Sequence, residues 1–463
     1  MKMRSIVLLA AALTLAACAG KAVRPASETF ANSPELERIL RQRLEGDRTG
    51  ACFAAAVVDR DEVQRAYVCA QGSVEGRIGP DTAFEIGSVA KTMTAALLAE
   101  LVLEGKASLD DPLSLYLPEG ISVPALDGEP IRLLHLLTHT SGLPPLPPGA
   151  PMIDPLDPYV LVDADALLAA LGRTVVGWAP GTRYQYSNYG AMLLSYAVGR
   201  RAGLPFAELA RERLFAPLGM TGAHVQAPPE GIRPAQGHLS TGQPVPAWNL
   251  HPELAGVGGV RATLDDMIAY VRGHLGLVRA PISEALAFTH RPLWEGERKV
   301  AAAWHVGNLS GREVLLHEGG TGGFSSYVAI DPEGGRAVVV LSDTALTTLG
   351  GLGDVGHHLL DPALPLGAPR RVAEPPTELV EALEGRYRFP MGLQMRLFRK
   401  EGKLHVQAAG QPAYELGYDS RGDFYTLLFD ARLAPRKAED GTTTFVWFQG
   451  GAGIEAERLG DLD

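Results

Sequence analysis

The chain has 463 residues, 46% apolar and 21% charged, with a formal net charge of −11. That length allows one large domain and a small one, and the composition is that of an ordinary globular protein. An acidic chain without a block of Lys or Arg is not built to bind nucleic acid.

The N-terminus reads as an export signal. Lys2 and Arg4 precede an apolar run from Ile6 to Ala17, which is shorter than the roughly 20 residues a bilayer span needs. Leu15-Ala16-Ala17-Cys18 resembles a lipobox, which implies cleavage before Cys18 and acylation of its thiol. Ala17-Cys18-Ala19 also fits the A-x-A site of an ordinary signal peptide. Ala19, where Asp would signal retention in the inner membrane, favours a periplasm-facing lipoprotein of the outer membrane by the same resemblance. Residues 18–32 are small and polar, as a tether would be.

Ser33-Pro34-Glu35 starts a helix, with Ser33 as N-cap and Pro34 in the first turn. Phe53 to Val58 and Val63 to Val68 read as strands around Arg60-Asp61. If those two residues are the turn, Cys52 faces Cys69 in a non-hydrogen-bonded pair, where side chains approach most closely. In an oxidising compartment this predicts a cross-strand disulfide; the alternative is two buried thiols in a slipped register.

Gly87 to Gly105 reads as a helix, amphipathic or fully buried, with Met93, Leu97, Leu98, Leu101 and Val102 at helical spacing. Ser88 falls at its start, and Lys91 lies one turn on along the same face. A nucleophile there gains from the helix dipole and from free N–H groups. Seven prolines in 144–158 make a stiff loop, a candidate lid over the site. Trp304 to Val306, Tyr327 to Ile330 and Ala337 to Leu341 read as strands, the last two joined by Asp331-Pro332-Glu333-Gly334-Gly335. With the early hairpin they form one antiparallel sheet, and the helical material between is an insertion. After a Pro-rich stretch the chain turns β-rich. Gly385 to Phe389, Gln394 to Arg399, Lys403 to Gln407, Phe424 to Phe429 and Thr443 to Phe448 suggest a small barrel.

Three motifs carry the chemistry: Ser88-Val89-Ala90-Lys91, Tyr186-Ser187-Asn188 and His317-Glu318-Gly319. A lone S-x-x-K is expected by chance about once or twice in such a chain. Here it runs out of a strand into a helix, and the other two motifs follow in order. Ser88 is a nucleophile that needs a base, and Lys91 and Tyr186 are the candidates. A nearby ammonium favours a phenolate, while burial lowers a lysine pKa. The choice between them stays open at this stage.

These residues, with their surroundings, resemble the serine β-lactamase and penicillin-binding-protein superfamily, nearest its class C-like branch of esterases and D-amino-acid peptidases. The matches are Phe84 to Thr92, His135 to Leu143, Pro180-Gly181 through Asn188, Pro217 to Met220, Gly258-Gly259 and His317 to Ser326. Leu383 to Tyr387 and the β-rich chain beyond them resemble an appended lipocalin-like domain. The resemblance implies an α+β fold, a helix-flanked antiparallel sheet with an inserted helical subdomain plus a C-terminal β-barrel. It divides the chain into a signal peptide (1–17), a tether (18–32), a hydrolase domain (33–362), a linker (363–377) and a β domain (378–463). By position it makes the backbone N–H groups of Ser88 and Gly320 the oxyanion hole. Asn188, His317 and Gly319 become substrate-binding, with Asn188 orienting Lys91 and a substrate carbonyl. No cofactor and no metal are called for.

His317 departs from the family's usual Lys. Histidine is mostly neutral at pH 7, so a substrate carboxylate would be weakly anchored. Esters, amides and D-amino-acid peptides become the expected substrates. A β-lactamase or cell-wall DD-peptidase is the alternative, and a non-turnover β-lactam sensor or wall-binding lipoprotein a third. Partners are then a small-molecule or peptide substrate, the membrane through Cys18, and the cell wall. Gly351 to Gly356 matches G-x-G-x-x-G, yet no second parallel strand follows, so dinucleotide binding is set aside. His135, His139, His357 and His358 lack metal-ligand spacing and read as structural.

Overall fold

The computed structural model describes residues 31–463 apart from positions 61, 155, 391, 430, 450–452 and 463. The export segment, Cys18 and nearly all of the tether lie outside the described residues. Among the described residues no helix is long and apolar enough to cross a membrane.

Helix α1 (Pro34–Leu44) buries Leu36, Leu40 and Leu44, one stripe at i, i+4 and i+8. Ser33 stands at the N-cap position, but its side chain makes no cap bond. Its hydroxyl donates instead to Gln64 Oε1 at 3.4 Å, on the adjoining hairpin. That hairpin, β1 (Cys52–Asp59) and β2 (Glu62–Cys69), pairs Cys52 with Cys69 and Asp59 with Glu62. Ala70 N donates to Ala51 O, so 51:70 is the hydrogen-bonded pair and 52:69 the closer kind. The two cysteines are joined in a disulfide.

Helix α2 (Ala90–Leu103) is buried without interruption from Ala90 to Ala99, resolving the choice between amphipathic and fully buried. Ser88 precedes it in a 3-10 turn, Gly87–Val89. Helices α3 (Asn188–Ala202) and α4 (Leu264–His274) lie in the inserted stretch. The chain then returns to the sheet through β3 (Trp294–Glu295), β4 (Lys299–Val300), β5 (His305–Leu309), β6 (Arg312–Gly320), β7 (Ser325–Asp331) and β8 (Arg336–Ser342). The spatial order is β3-β4-β5-β6-β7-β8-β1-β2, with every neighbouring pair antiparallel.

Both faces of this sheet are covered. Cys52, Ala54, Ala56 and Val58 of β1 join one core with α2 and α4. Phe53, Ala55 and Val57 join a second core with α1 and with α5 (Gly353–Leu360). Two-sided burial is why β1 is apolar throughout, without the usual alternation. Gly356, the last glycine of the decoy motif, lets α5 lie on the Tyr327 ring, where a Cβ would collide.

The C-terminal part is a nine-stranded antiparallel sheet with its own core. Its last strands, Gly453–Glu455 and Glu457–Gly460, sit at opposite edges with one residue between them, so the sheet curls into a nearly closed barrel. Tyr414–Tyr418 and Arg432–Lys437 are strands that the pattern missed. Gly417 and Pro435 break their β signal. The Pro-rich stretch before the barrel is not slack: Arg370 within it is 5% exposed and bonded to Asp419 and Asp423.

Replacing Cys52 and Cys69 together by Ser should cost about 3 kcal/mol, from the chain entropy of a loop of this length. Denaturant midpoints of the variant and of wild type with and without reductant would measure it.

Candidate active site

Ser88 sits where strand Thr82–Glu85 hands over to α2, pressed against the end of β6. Gly87 has φ +50°, and a Cβ there would lie 2.7 Å from Gly320 N. A Cβ on Gly319 would collide with the Ile86 carbonyl, which also accepts from Ser326 Oγ at 2.7 Å. Glycine at these positions lets two backbones meet, and it brings the peptide of Ser88 beside that of Gly320.

Lys91 reaches back one turn. Its Nζ lies 2.8 Å from Ser88 Oγ and donates to Val257 O at 2.7 Å. Val257 is held by its neighbours: Thr94 Oγ1 donates to Gly256 O, and Ser195 Oγ accepts from Gly256 N while donating to Glu253 O. Lys91 is 3% exposed, and burial drives its pKa well below that of an ordinary lysine. Burial thus favours the uncharged amine, which lies within hydrogen-bond reach of the Ser88 hydroxyl.

Tyr186 precedes α3. Ser187 caps that helix, accepting from Gly190 N at 2.9 Å and donating to Pro144 O at 2.7 Å. His139 Nδ1 accepts from Ser187 N, and its ring lies 4.3 Å from that of Tyr186. His139, read as structural, thus positions the second motif. Lys91 Nζ lies 5.1 Å from the centre of the Tyr186 ring. Burial pushes the phenol pKa up, opposed by its contact with the Ser88 hydroxyl. Both shifts favour amine plus phenol over ammonium plus phenolate.

Two expected contacts differ. Asn188 does not orient Lys91, a task that falls to the Val257 carbonyl. Its Nδ2 reaches Tyr159 at 3.5 Å, and its Oδ1 is buried without a partner. His317 is 2% exposed, its ring tilted against that of His305 at 5.4 Å, with Nδ1 donating to the Glu318 carbonyl at 2.8 Å. Burial pushes its pKa well down, so it is a neutral imidazole.

The cavity over Ser88 is about 30 Å³, lined among others by Asn188, Tyr159, Trp248, Gly320 and Thr321, with no charged side chain. That is room for roughly two waters. Tyr159, just beyond the Pro-rich loop, and Trp248 both line it, their rings in T-shaped contact at 5.3 Å. Asp157 latches the two segments, accepting from Asn249 N and Nδ2, both at 2.8 Å. Glu85 accepts from Trp248 N, anchoring the second segment to the strand before Ser88. Asn188 Oδ1 and Trp248 Nε1 are both buried there without partners. Nothing in the sequence pattern marks Val257, which acts through its backbone, or Tyr159, Trp248 and Asn249, which lie in loops. Among the described residues no group of three or more His, Cys, Asp or Glu could hold a metal ion.

A serine hydroxyl facing a buried amine, beside a buried phenol on a helix-flanked antiparallel sheet, marks a serine hydrolase. Residues 36–353 match the beta-lactamase family model, and the chain belongs to that family. It is 28% identical over 367 residues to the D-alanyl-D-alanine-carboxypeptidase/endopeptidase AmpH of Escherichia coli K12, covering 76% of this chain and 93% of the relative. A Yersinia pestis beta-lactamase/D-alanine carboxypeptidase structure is 26% identical, with a TM-score of 0.55 over 68% of this chain and 94% of that one. The octameric penicillin-binding protein homologue of Pyrococcus abyssi shares the fold over 92% of this chain and 96% of its own, at TM-score 0.61 and 21% identity.

Lys91→Ala should lower kcat/KM roughly 10²- to 10⁴-fold, the usual worth of a general base. In wild type, activity should fall as pH drops through the Lys91 ionisation, which burial holds well below the ordinary lysine range. A kcat/KM profile against pH checks both. Asp157→Ala, which removes the acceptor of both latch bonds, should raise rates on bulky acyl esters relative to acetyl esters, read as a ratio of kcat/KM values.

Proposed function

We propose that the chain is an exported serine hydrolase that cleaves esters, amides or D-amino-acid peptides through an acyl-serine intermediate. The observation that carries this reading is the Lys91 Nζ–Ser88 Oγ contact of 2.8 Å with the amine desolvated. Ser88 Oγ attacks the acyl carbon as its proton passes to the Lys91 lone pair. The oxyanion is taken by the N–H groups of Ser88 and Gly320. Tyr186, protonated, gives its proton to the leaving group and is reprotonated from Lys91. Water then cleaves the acyl-enzyme by the same groups in reverse. Export is supported by the N-terminal signal pattern and by the disulfide, which persists in oxidising compartments. Anchoring through an acylated Cys18 belongs to the same proposal.

The uncharged cavity argues about substrate. Its unpartnered groups, an amide oxygen and an indole N–H, suit a neutral amide or ester. A carboxylate would meet no cation there, because His317 is neutral and buried. The endopeptidase half of the E. coli relative's name therefore fits this site better than the carboxypeptidase half.

Hydrolysis of p-nitrophenyl butyrate by the mature chain should disappear in Ser88→Ala. Against a matched ester bearing a carboxylate in the acyl group, wild type should prefer the neutral one. His317→Lys should narrow that preference by lowering KM for the charged ester. An unchanged KM ratio would sink the anchoring argument.

A further inference from the structure

The short turn Thr347–Leu349 lies between the two halves of the molecule and touches both. On one side it meets the end of β6. Leu346 N donates to Ser325 Oγ at 2.8 Å, and Ser325 is the strand partner of Gly320. A Cβ on Gly320 would run into the Thr347 hydroxyl. On the other side, two arginines take the carbonyls of the same turn. Arg432 Nε, on a barrel strand, donates to Thr348 O. Arg370 donates to Leu349 O at 2.8 Å.

Both arginines are themselves fixed. Arg432 pairs with Asp423 at 2.9 Å, and its guanidinium lies 3.8 Å over the Phe448 ring. Arg370 bonds Asp423 at 2.8 Å and Asp419 at 3.0 Å. Asp419 is fully buried and also takes Arg48 at 3.3 Å from the hydrolase part. Each guanidinium sets one nitrogen on carboxylate and another on the turn, and its planar fork suits it to holding one geometry.

We propose that Arg432, with Arg370, is a positioning residue for the oxyanion hole. The barrel fixes the Thr347–Leu349 turn, and the turn fixes the Gly320 N–H against Ser88. Gly320 is the last residue of its strand and has no side chain to lock it. A donor there must sit where the oxyanion will be, and a displacement near 1 Å can cost about 10²-fold in rate. The inference rests on the acyl-serine reading.

The test uses the full chain and an ester paired with its thionoester, whose sulfur is larger and a weaker acceptor. Rates are taken per Ser88 titrated with a fluorophosphonate. Arg432→Ala should lower kcat on the ester roughly 10- to 100-fold with KM little changed. It should also shrink the ester-to-thionoester ratio, a signature that a purely structural role would not move. Arg432→Lys, which keeps one donor, should recover part of the ratio. Thr347→Gly leaves the ion network intact and should reproduce the loss, which covers the case where Arg432→Ala does not fold. Ser88-dependent turnover with wild-type kcat and ratio in Arg432→Ala, or in Thr347→Gly should Arg432→Ala not fold, overturns this inference alone. No Ser88-dependent turnover in wild type overturns the acyl-serine reading, and this inference with it.

Discussion

The molecule depends on an amine that has been taken out of water. Lys91 is surrounded by α2, α3 and the Ala255–Val257 turn, with one carbonyl and one hydroxyl for polar company. A charged ammonium there is desolvated without a counter-ion, which is costly and lowers the pKa. That shift suits the amine to the role of base proposed for it. It requires the fold to supply a dry pocket and an acceptor for the remaining N–H, and the Val257 carbonyl is that acceptor. The same dryness raises the Tyr186 phenol. One environment thus shifts the two groups in opposite directions, as the proposed division into proton acceptor and proton donor requires.

Keeping that pocket dry and the reacting atoms in place falls to close backbone contacts. Gly87, Gly319 and Gly320 let the nucleophile turn and the end of β6 meet, and Ser326 stitches β7 to Ile86. The sheet behind them is packed on both faces, so β6 has little freedom to shift. Tyr159 and Trp248 complete the enclosure from loops, held by Asp157 and Glu85. Rigid elements carry the chemistry, and the loops close over it.

Much of this was legible in the sequence where a residue's identity carries the information. The Cys52–Cys69 pairing followed from a turn and strict strand alternation. The sheet and its inserted helices followed from strand patterns separated by more than 200 residues of helical and loop sequence. The motif residues Ser88, Lys91 and Tyr186 come together because S-x-x-K spans one helical turn and Tyr186 precedes a capped helix. What was hidden acts through the backbone or through distance. Any residue could present the Val257 carbonyl. The partner of Asn188 turned on where Tyr159 lies, which no spacing specifies. Ser33 had the form of a cap but found Gln64 closer. The barrel strands containing Gly417 and Pro435 were masked by residues that ordinarily break strands. The Arg–Asp network draws on positions from Arg43 to Arg432, and no local pattern groups them.

The two buried polar regions solve desolvation in opposite ways. At Ser88 burial biases both the amine and the phenol towards their neutral forms. Between the sheet and the barrel, Arg43, Arg48, Arg370 and Arg432 are instead paired with Asp47, Asp354, Asp419 and Asp423. Buried ion pairs add little net stability over an apolar contact of the same volume, but a mispaired one is expensive. Such a seam therefore selects a single docking of the barrel more than it strengthens it. An apolar seam could slide by a residue and still bury the same area. A seam of forked arginines cannot, and that is what a turn seated against Gly320 needs from the part of the chain that holds it.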